Sequence, residues 1–272
     1  MSEQRVILIT GASSGNGQAT ARLLAQRGFT VFGTSRNPSD VEMMPGVKVL
    51  PLDVRLDESV DACVDTVLKQ AGRLDTLVNN AGYELGGAIE EATLEEAKAQ
   101  FETNFFGVVR MVKAVLPVMR RQGNGQIINI SSLAGLAPVP FLGVYSASKS
   151  ALEGYTEVLR HEVKPFNIQV SLMEPGHIKT TLARNRQYAA DQISDYDSWR
   201  QRAFEAMREY EEKAPGPTLV AECVLCIIES KSPRLRYRVG KDAIRILRLR
   251  RFLPESLLEQ GTRSYFHLDA EK

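Results

Sequence analysis

The stretch RVILITGASSGNG, residues 5–17, decides the fold that this sequence predicts. It begins with a short apolar run that lacks helical periodicity, so we expect a buried strand over Arg5–Thr10. It continues into a turn that contains Gly11, Gly15 and Gly17. Glycines in such a turn let backbone N–H groups approach a pyrophosphate, and the following helix adds partial positive charge at its N-terminus. A strand-to-helix turn without a ligand also uses glycines, so this stretch alone leaves both interpretations open.

The same strand–turn–helix pattern recurs along the chain. Apolar runs predict strands over Arg5–Thr10, Thr30–Thr34, Val47–Leu52, Leu74–Asn79, Gln126–Ser131 and Asn167–Glu174. Amphipathic stretches predict helices over Gly17–Arg27, Asp57–Ala71, Leu94–Arg121 and Tyr145–Lys164. Because the strands are apolar on both faces, helices should cover both faces of a parallel sheet. With no Pro/Gly/Ser-rich linker, the pattern predicts a Rossmann-like, doubly wound α/β fold in a single domain over residues 1–272.

The composition is typical of a soluble globular protein. Hydrophobic residues make up 43% and charged residues 25% of the 272 residues, which excludes a disordered chain. The formal net charge of +1 gives nucleic acid no long-range attraction, and we expect no nucleic-acid partner. The three cysteines cannot form a disulfide framework, and the start has no signal-peptide pattern, so we expect a cytoplasmic protein. The longest uncharged stretch, residues 122–148, contains Asn, Ser and Pro and does not predict a membrane span.

The chain after the sixth predicted strand contains a long polar segment, His177–Pro217, with a helical stretch over Ser198–Lys213. An excursion at this place in a doubly wound fold lies above the carboxyl ends of the strands, where ligands bind. We therefore expect a substrate lid. The alternative is a permanently folded helical insertion that covers the core.

The last part of the chain is basic. Arg236–Gly240 predicts a seventh strand, and residues 241–272 follow it as a C-terminal tail. Apolar and basic residues alternate in Lys241–Leu253, which is typical of a helix with a cationic face suited to an anionic membrane surface. We expect instead a solvated helix packed on its own domain.

A series of motifs in fixed order resembles the short-chain dehydrogenase/reductases in their shorter single-domain form, over about Arg5–Thr181. The motifs are TGASSGNG at 10–17, Asp53-Val54, NNAG at 79–82, Asn104, Ser132, Tyr145xxxLys149, Pro175-Gly176 and Thr180. The segment Glu174–Thr180 and the basic tail look most like the branch containing hydroxysteroid and retinol dehydrogenases. One position departs from the family pattern: Asn16 replaces an apolar residue, commonly Ile, which leaves the effect of this side chain on phosphate binding open.

The resemblance implies a role for each matching residue. Catalysis is expected from Asn104, Ser132, Tyr145 and Lys149. Cofactor binding is expected from Gly11, Ser13, Ser14, Gly15, Asn16, Gly17, Arg36, Asp53, Val54, Asn80, Ala81, Gly82, Tyr145, Lys149, Pro175, Gly176, Ile178 and Thr180. No metal site is expected.

Three of these roles are specific. By the resemblance, Asp53 bonds the adenine amino group, Asn104 holds a water that links Lys149 to solvent, and Thr180 bonds the nicotinamide carboxamide. Two alternatives stand beside them: Asp53 caps the helix that begins near Asp57, and Asn104 is a polar residue that bonds backbone inside a helix.

The end of the second predicted strand, GTSRN at residues 33–37, indicates the cofactor. An NAD site places an acid here to bind the adenosine ribose, and this stretch has none. Arg36 can donate bidentate hydrogen bonds to a 2′-phosphate, with Thr34 or Ser35 as additional donors. We therefore expect NADP(H), with NAD(H) less favoured. The alternative is that Arg36 is a solvated surface residue.

Tyr145 and Lys149 lie four residues apart, on one face of a predicted helix. A free tyrosine, with a pKa of about 10, is a poor base at neutral pH, and lowering that pKa by ~3 units requires about 4 kcal/mol. The Lys149 ammonium and an oxidised nicotinamide can supply this stabilisation. Ser132, which the family spacing favours over Ser131, can polarise a substrate carbonyl while Tyr145 transfers the proton.

These observations predict an NADP(H)-dependent oxidoreductase that interconverts a carbonyl and an alcohol of a small molecule. Apolar residues near the expected pocket favour a hydrophobic ketone, aldehyde or hydroxysteroid-like substrate; they are Leu133, Val139, Phe141 and Leu142. The alternatives are an NAD-preferring alcohol dehydrogenase of the same fold and a non-catalytic NADP-binding redox sensor. The family habit of pairing two helices between subunits predicts a homodimer or homotetramer. Cys223 and Cys226 should pack as small apolar residues.

Overall fold

The computed structural model describes residues 4–180 and 186–269, and its strands follow the apolar runs of the sequence. In chain order they are β1 Val6–Ile9, β2 Thr30–Ser35, β3 Val47–Pro51, β4 Thr76–Asn79, β5 Leu85–Gly86, β6 Gly125–Ile130, β7 Ile168–Pro175, β8 Gln187–Tyr188 and β9 Arg236–Val239. Among the described residues, seven of these strands form one parallel sheet in the order β3-β2-β1-β4-β6-β7-β9. The predicted doubly wound sheet is confirmed, including its seventh strand.

The helices lie on both faces of this sheet. In chain order they are α1 Gly15–Gln26, α2 Asp57–Ala71, α3 Leu94–Phe101, α4 Gly107–Gln122, α5 Gly143–Glu162, α6 Asp197–Lys213, α7 Thr218–Glu229, α8 Lys241–Phe252 and α9 Glu255–Tyr265. Successive residues of β1 point to opposite faces, so Val6 and Leu8 pack with α2, α4 and α5. Ile7 and Ile9 pack with α1 and α7. No helix within 4–180 or 186–269 has the length and apolar composition needed to cross a membrane.

The helix predicted over Leu94–Arg121 is interrupted, which corrects the prediction. A π-helical turn at Glu102–Phe106 separates α3 from α4. Its central residue, Asn104, is fully buried, and its amide accepts the Tyr83 N–H at 3.1 Å and donates to the Tyr83 carbonyl at 3.0 Å. Apolar periodicity does not reveal such a turn, because a single inserted residue displaces the pattern only slightly. Turns of this kind are frequent at functional sites.

The C-terminal segment is folded, where the sequence predicted only a tail with one helix. The inner face of α8 packs Ala243 and Leu247 against Leu133, as expected for a helix on its own domain. Helix α9, which the sequence analysis missed, leads to Phe266, and this ring is buried against Phe204 of α6. The two helices therefore close one side of the space above the carboxyl ends of the strands.

The polar excursion after β7 is attached to the domain at several described residues. Strand β8 pairs with β5, and the Ile193 N–H donates to the Glu91 carboxylate at 2.9 Å. The same carboxylate forms a buried ion pair with Arg200 of α6. These contacts favour the folded-insertion alternative for the part from β8 through α6. Residues 181–185 of the expected lid lie outside the described residues.

Candidate active site

The glycine turn after β1 and the NNAG turn after β4 are held together by Thr10. Its hydroxyl oxygen accepts the N–H groups of Asn80 at 2.9 Å and Ala81 at 3.0 Å. Gly11 has a φ of +67°, and a Cβ on it would lie 2.9 Å from the Ala81 Cα. Only glycine fits this approach without displacing the backbone. Thr10 is a positioning residue that the sequence analysis did not single out.

Helix α1 presents its N-terminus to the adjacent cavity. Its first turn carries no acidic side chain, and its N-cap residue, Ser14, makes no side-chain capping bond within the described helix. The N–H groups of the first turn are therefore open to an anion. The Asn16 Oδ1 is buried with no hydrogen-bond partner among the described residues. Asn16 thus adds an acceptor to the turn where the family has an apolar side chain.

The cavity has a volume of about 1850 Å³ and runs from this turn to the C-terminal helices. Most residues expected to bind the cofactor or the substrate line it. They are Gly11, Ser13, Ser14, Gly15, Asn16, Arg36, Asp53, Val54, Asn80, Ala81, Gly82, Ser132, Tyr145, Lys149, Pro175, Gly176, Ile178 and Thr180. Gly17 lies behind the turn, where a Cβ would be 2.3 Å from the Gly11 carbonyl oxygen. Asn104 also lies outside the lining.

Two arginines lie at the end of the cavity beyond β2 and β3. Arg36 is exposed there, near Asp53. Arg55, which the sequence analysis missed, binds the Asp53 carboxylate through Nε at 2.9 Å and Nη2 at 2.6 Å. This hydrogen bonding lowers the pKa of Asp53, and the Arg36 charge acts in the same direction. Asp53 does not cap α2, whose N-cap residue is Leu56, so the capping alternative is wrong.

Ser132, Tyr145 and Lys149 meet at the carboxyl end of β6. Ser132 follows this strand; its hydroxyl accepts the Ala134 N–H at 3.1 Å and lies near enough to the Tyr145 phenol to lower its pKa. The Lys149 Nζ donates to the Ile130 carbonyl at 2.9 Å and lies 5.9 Å from the centre of the Tyr145 ring. Both side chains are about 95% buried, with exposures of 5% for Tyr145 and 6% for Lys149. The side chains of Ser132, Tyr145 and Lys149 therefore lie together, as the helical spacing and the position of Ser132 after the strand predict.

Burial controls the protonation of this pair. It raises the pKa of Tyr145 well above its usual value, and the nearby Glu84 carboxylate adds to that rise. A hydrogen bond from Ser132 and the charge of Arg186 act in the opposite direction. Burial lowers the pKa of Lys149 to about 8. The sequence analysis expects Lys149 and an oxidised nicotinamide together to lower the phenol pKa, and this stays a prediction for the protein with its cofactor.

Asn104 supports the site from behind. Besides its two bonds to Tyr83, its amide donates to the Ser148 Oγ at 3.3 Å. A Cβ on Gly82 would lie 3.0 Å from the Asn104 Oδ1, so the NNAG turn and this amide are closely packed. These contacts match the backbone-bonding alternative. The water relay to Lys149 stays a prediction.

A buried ion cluster that sequence reasoning missed lines the substrate side of the cavity. The Arg186 Nη2 lies 2.8 Å from Glu84 Oε2 and 2.9 Å from Glu211 Oε1. Glu84 follows the NNAG motif by two residues, but its partners come from distant segments. Arg186 lies 102 positions after Glu84 in the sequence (186 − 84), and Glu211 lies 127 positions after it (211 − 84). No short-range pattern links residues so far apart, so the sequence offered no signal for the cluster.

The end of β7 is fixed by the first turn of α8. The Asp242 carboxylate accepts the His177 N–H at 2.8 Å, and a Cβ on Gly176 would lie 2.6 Å from it. The His177 ring stacks on Tyr210, whose ring in turn lies 4.2 Å from that of Tyr265, centre to centre. Both tyrosines line the cavity. The C-terminal helices are thus part of the site and not an appendage.

The outer part of the cavity is largely apolar. Among the residues expected there, Leu133, Val139 and Leu142 line it and Phe141 does not. Five side chains of the C-terminal segment, none of them anticipated, complete the wall: Leu249, Leu253, Leu257, Leu258 and Phe266. This surface suits a long or bulky hydrophobic group.

Comparison with known sequences gives consistent results over nearly the whole chain. The profile described as short chain dehydrogenase matches residues 5–191. A 3-ketodihydrosphingosine reductase of Bacteroides thetaiotaomicron is 41% identical over 268 residues, which cover 97% of this chain and 98% of the relative. Retinol dehydrogenase 8 of Bos taurus is 35% identical over 93% of this chain and 87% of its own length.

Solved structures show the same architecture. A short-chain dehydrogenase from Streptomyces avermitilis superposes with a TM-score of 0.82 at 31% identity, over 99% of this chain and all of that one (100%). One from Burkholderia phymatum in complex with NAD gives 0.79 at 27% identity, over 96% and 97% of the two chains. The actinorhodin polyketide ketoreductase with NADPH gives 0.76 at 30% identity, over 89% and 98%.

Proposed function

This chain belongs to the short chain dehydrogenase family of nicotinamide-dependent oxidoreductases, and on that premise we propose that it is an NADP(H)-dependent carbonyl reductase or alcohol dehydrogenase for a hydrophobic substrate. The observation that carries the proposal is the meeting of Ser132, Tyr145 and Lys149 in the cavity that also contains the glycine turn. A redox sensor would need the cavity but not this proton-transfer group.

The lining residues fit a nicotinamide dinucleotide. The backbone approach at Gly11 and the open N-terminus of α1 suit a pyrophosphate, and Pro175, Ile178 and Thr180 line the end nearest Tyr145. When bound, such a cofactor supplies or accepts the hydride. The protein then has two tasks: to place the substrate oxygen and to move one proton.

The raised pKa of Tyr145 suits a proton donor. Because the phenol is protonated at neutral pH, it can give its proton to the oxygen of a carbonyl that becomes an alcohol. The Ser132 hydroxyl, which lies near the phenol, can donate to the same oxygen and stabilise its developing negative charge. Lys149, with a pKa of about 8, can exchange a proton near physiological pH. In the oxidation direction Tyr145 acts as the base.

The arginines beyond β2 and β3 support NADP(H) over NAD(H). Asp53 balances the charge of Arg55, whereas Arg36 is exposed at the end of β2 and can reach a 2′-phosphate. The alternative, an NAD-preferring dehydrogenase, is favoured by the similar structure that holds NAD. Arg36, whose charge Asp53 does not balance through an ion pair, is the residue on which the preference for NADP(H) rests.

The substrate proposal rests on the apolar wall of the cavity and on the name of the Bacteroides relative, which is more similar to this chain than the bovine retinol dehydrogenase. The wall formed by Leu249, Leu253, Leu257 and Leu258 suits an aliphatic chain, and the Bacteroides relative bears the name of a reductase for a long-chain keto base. We propose a ketone or secondary alcohol with a long hydrocarbon chain, in preference to a hydroxysteroid-like compound.

A turnover assay tests the function. NADPH and NADH absorbance is followed with long-chain ketones, matched short-chain ketones, a steroid ketone and retinal. We expect NADPH oxidation with kcat/KM rising with chain length. Tight NADPH binding without turnover of any carbonyl would favour the sensor, and a preference for NADH would favour the alternative dehydrogenase.

The assembly is proposed to be a homodimer or homotetramer through the helices that follow β5 and β6. Apolar side chains with 44% and 57% exposure, Phe106 and Val158, lie on this side of the domain. Burial of such side chains favours association. Sedimentation velocity of the full chain measures the state.

Glu84→Gln should shift the pH dependence of alcohol oxidation to lower pH. The Glu84 charge raises the pKa of Tyr145, so its removal makes the phenolate, which is the base in oxidation, available at lower pH. The measurement is the acidic limb of log kcat/KM against pH. Glu211→Gln is the matched control, because it also removes a carboxylate from Arg186 but does not contribute to the Tyr145 pKa. Equal shifts in both variants would contradict this role.

Ligands should protect the amides between Lys179 and Tyr196 from hydrogen exchange. Thr180 lines the cavity at the start of the excursion, so cofactor plus an inhibitor can order this segment and exclude water. Amides of α2 serve as an internal reference, since α2 packs in the core and none of its residues lines the cavity. The protection should be largest near Thr180 and smaller at Ile193, which Glu91 already holds. Slow exchange without ligand over the whole segment, unchanged by ligands, would identify a permanently folded insertion.

A further inference from the structure

Helices α8 and α9 expose an apolar surface directly beside the cavity. Phe252 is 77% exposed, Leu257 49% and Leu249 43%, with Ile244 and Leu253 also exposed. Side chains at 244, 248, 249 and 252 share one face of α8, because three or four residues make one turn. We call the exposed residues from Ile244 to Leu257 the hairpin surface. A cluster of exposed apolar side chains on one element indicates contact with a partner.

The hairpin surface is also strongly cationic. Arg245, Arg248, Arg250 and Arg251 are all exposed, and Glu255 is the one acidic residue in the sequence from 244 to 257. The whole chain has a formal net charge of only +1, so these four charges are concentrated locally. Arginines interleaved with exposed apolar side chains fit the interface of an anionic lipid bilayer, where cations meet headgroups and apolar groups reach the acyl boundary.

The apolar part of this surface continues into the cavity. Leu249, Leu253 and Leu257 are each more than a third exposed, and each also lines the cavity. The opposite side of α8 packs on the domain through Ala243 and Leu247. The exposed surface is therefore continuous with the apolar part of the lining of the cavity that contains Tyr145.

We propose that the hairpin surface docks on an anionic phospholipid membrane and that the cavity mouth opens towards the bilayer. Phe252 and the exposed leucines enter the interfacial region while the arginines bind phosphate and carboxylate headgroups. A long-chain substrate then passes from the bilayer into the cavity without crossing water. The docking proposal depends only on the composition of the hairpin surface, whereas the passage of a substrate rests on the proposed function.

Charge decides against a second copy of the chain as the occupant. A symmetric contact through the hairpin surface would place the arginines of α8 near those of its partner, and like charges oppose such a contact. An anionic bilayer has the complementary charge and can bury the apolar residues at the same time. The surface therefore fits a membrane better than a homodimer.

Vesicle co-sedimentation of the full chain tests the docking. We expect the protein to pellet with phosphatidylcholine vesicles that contain phosphatidylglycerol, and not with phosphatidylcholine alone, and we expect high salt to release it. Arg248→Glu combined with Arg251→Glu should weaken binding by about tenfold or more, because each basic residue contributes about 1 kcal/mol near an anionic surface. Phe252→Ser should weaken it without abolishing the salt dependence.

Matched variants on other surfaces provide the controls. Met43 is 86% exposed, and Arg121 is exposed at the end of α4, so Met43→Ser and Arg121→Glu change the same kinds of residue elsewhere. Circular dichroism and turnover of a short-chain ketone check that each variant is folded. Docking is overturned if the wild type does not pellet with anionic vesicles, or if the hairpin and control variants lose binding equally. It is also overturned if the hairpin variants change the oligomeric state, which would identify a subunit interface.

A kinetic comparison separates docking from substrate delivery. For a long-chain ketone carried in anionic vesicles, Phe252→Ser should lower kcat/KM, while kcat/KM for a soluble short-chain ketone stays at the wild-type value. Equal loss for both substrates would overturn delivery. If the wild type pellets with vesicles but reduces no carbonyl, the proposed function fails and the docking stands, because sedimentation requires no turnover.

Discussion

Replacing Tyr145 with phenylalanine should lower turnover by about 10²–10⁴-fold, the contribution typical of a positioned proton donor, while NADPH affinity stays nearly unchanged. The phenylalanine ring fills the same buried space beside Ala134 and Leu142 but carries no transferable proton. Steady-state kcat with a reducible ketone and NADPH binding by fluorescence titration measure the two effects separately. Substantial residual turnover would remove Tyr145 from the proposed mechanism.

Two further substitutions distinguish this role from a packing defect. Lys149→Met should reduce both the rate and cofactor binding, because the lysine lies beside the phenol and is expected to bond the nicotinamide ribose. An effect on rate alone would remove its ribose role. Ser131→Ala changes the neighbouring serine, whose hydroxyl lies beside Glu153, and should leave the rate much nearer to that of the wild type than Tyr145→Phe does. If Ser131→Ala lowered the turnover rate as much as Tyr145→Phe does, the loss in Tyr145→Phe could be a general packing defect of this region.

The sheet and most of the site could be predicted because they depend on short-range patterns. A buried parallel strand favours a largely apolar run without helical periodicity, and such runs appear at β1, β4, β6 and β7. The carboxyl ends of these strands meet at one edge, so the motifs that follow them are brought together by topology alone. The Tyr145–Lys149 spacing needs only one helical turn.

The features that could not be predicted depend on contacts between distant segments. Glu84, Arg186 and Glu211 meet only because β8 returns to β5, and two-residue strands carry no recognisable pattern. The position of helix α9 depends on the burial of Phe266 in a cluster with residues of α6. The π-helical turn at Asn104 follows from the bonds of this amide to Tyr83.

The pKa of Tyr145 depends on surroundings that the sequence does not show. The sequence places a lysine beside a tyrosine, and charge alone predicts a lowered phenol pKa. The structure adds the depth of burial and the carboxylate of Glu84, and both raise the pKa of Tyr145. These surroundings keep the phenol protonated at neutral pH, which is the form that donates a proton to a carbonyl oxygen.

Arg36→Asp should move cofactor preference from NADPH towards NADH. Loss of a charge-assisted bond to the 2′-phosphate costs about 1.5–3 kcal/mol, which corresponds to roughly 10- to 150-fold in kcat/KM with NADPH. The new carboxylate repels that phosphate and can accept hydrogen bonds from the ribose hydroxyls of NAD. The measurement is the ratio of kcat/KM for NADPH to kcat/KM for NADH.

Arg55→Asp is the control that shows which arginine sets the cofactor preference. Arg55 lies at the same end of the cavity, but its charge is balanced by Asp53. If Arg36 is the phosphate ligand, the ratio should change far more in Arg36→Asp than in Arg55→Asp. Removing Arg55 also releases the carboxylate of Asp53, whose pKa the arginine lowers. The added negative charge should weaken binding of both cofactors and change their ratio less than loss of the direct contact from Arg36 does. A ratio that changes only in Arg55→Asp would transfer the 2′-phosphate contact to Arg55, and a ratio unchanged in both variants would place cofactor choice elsewhere.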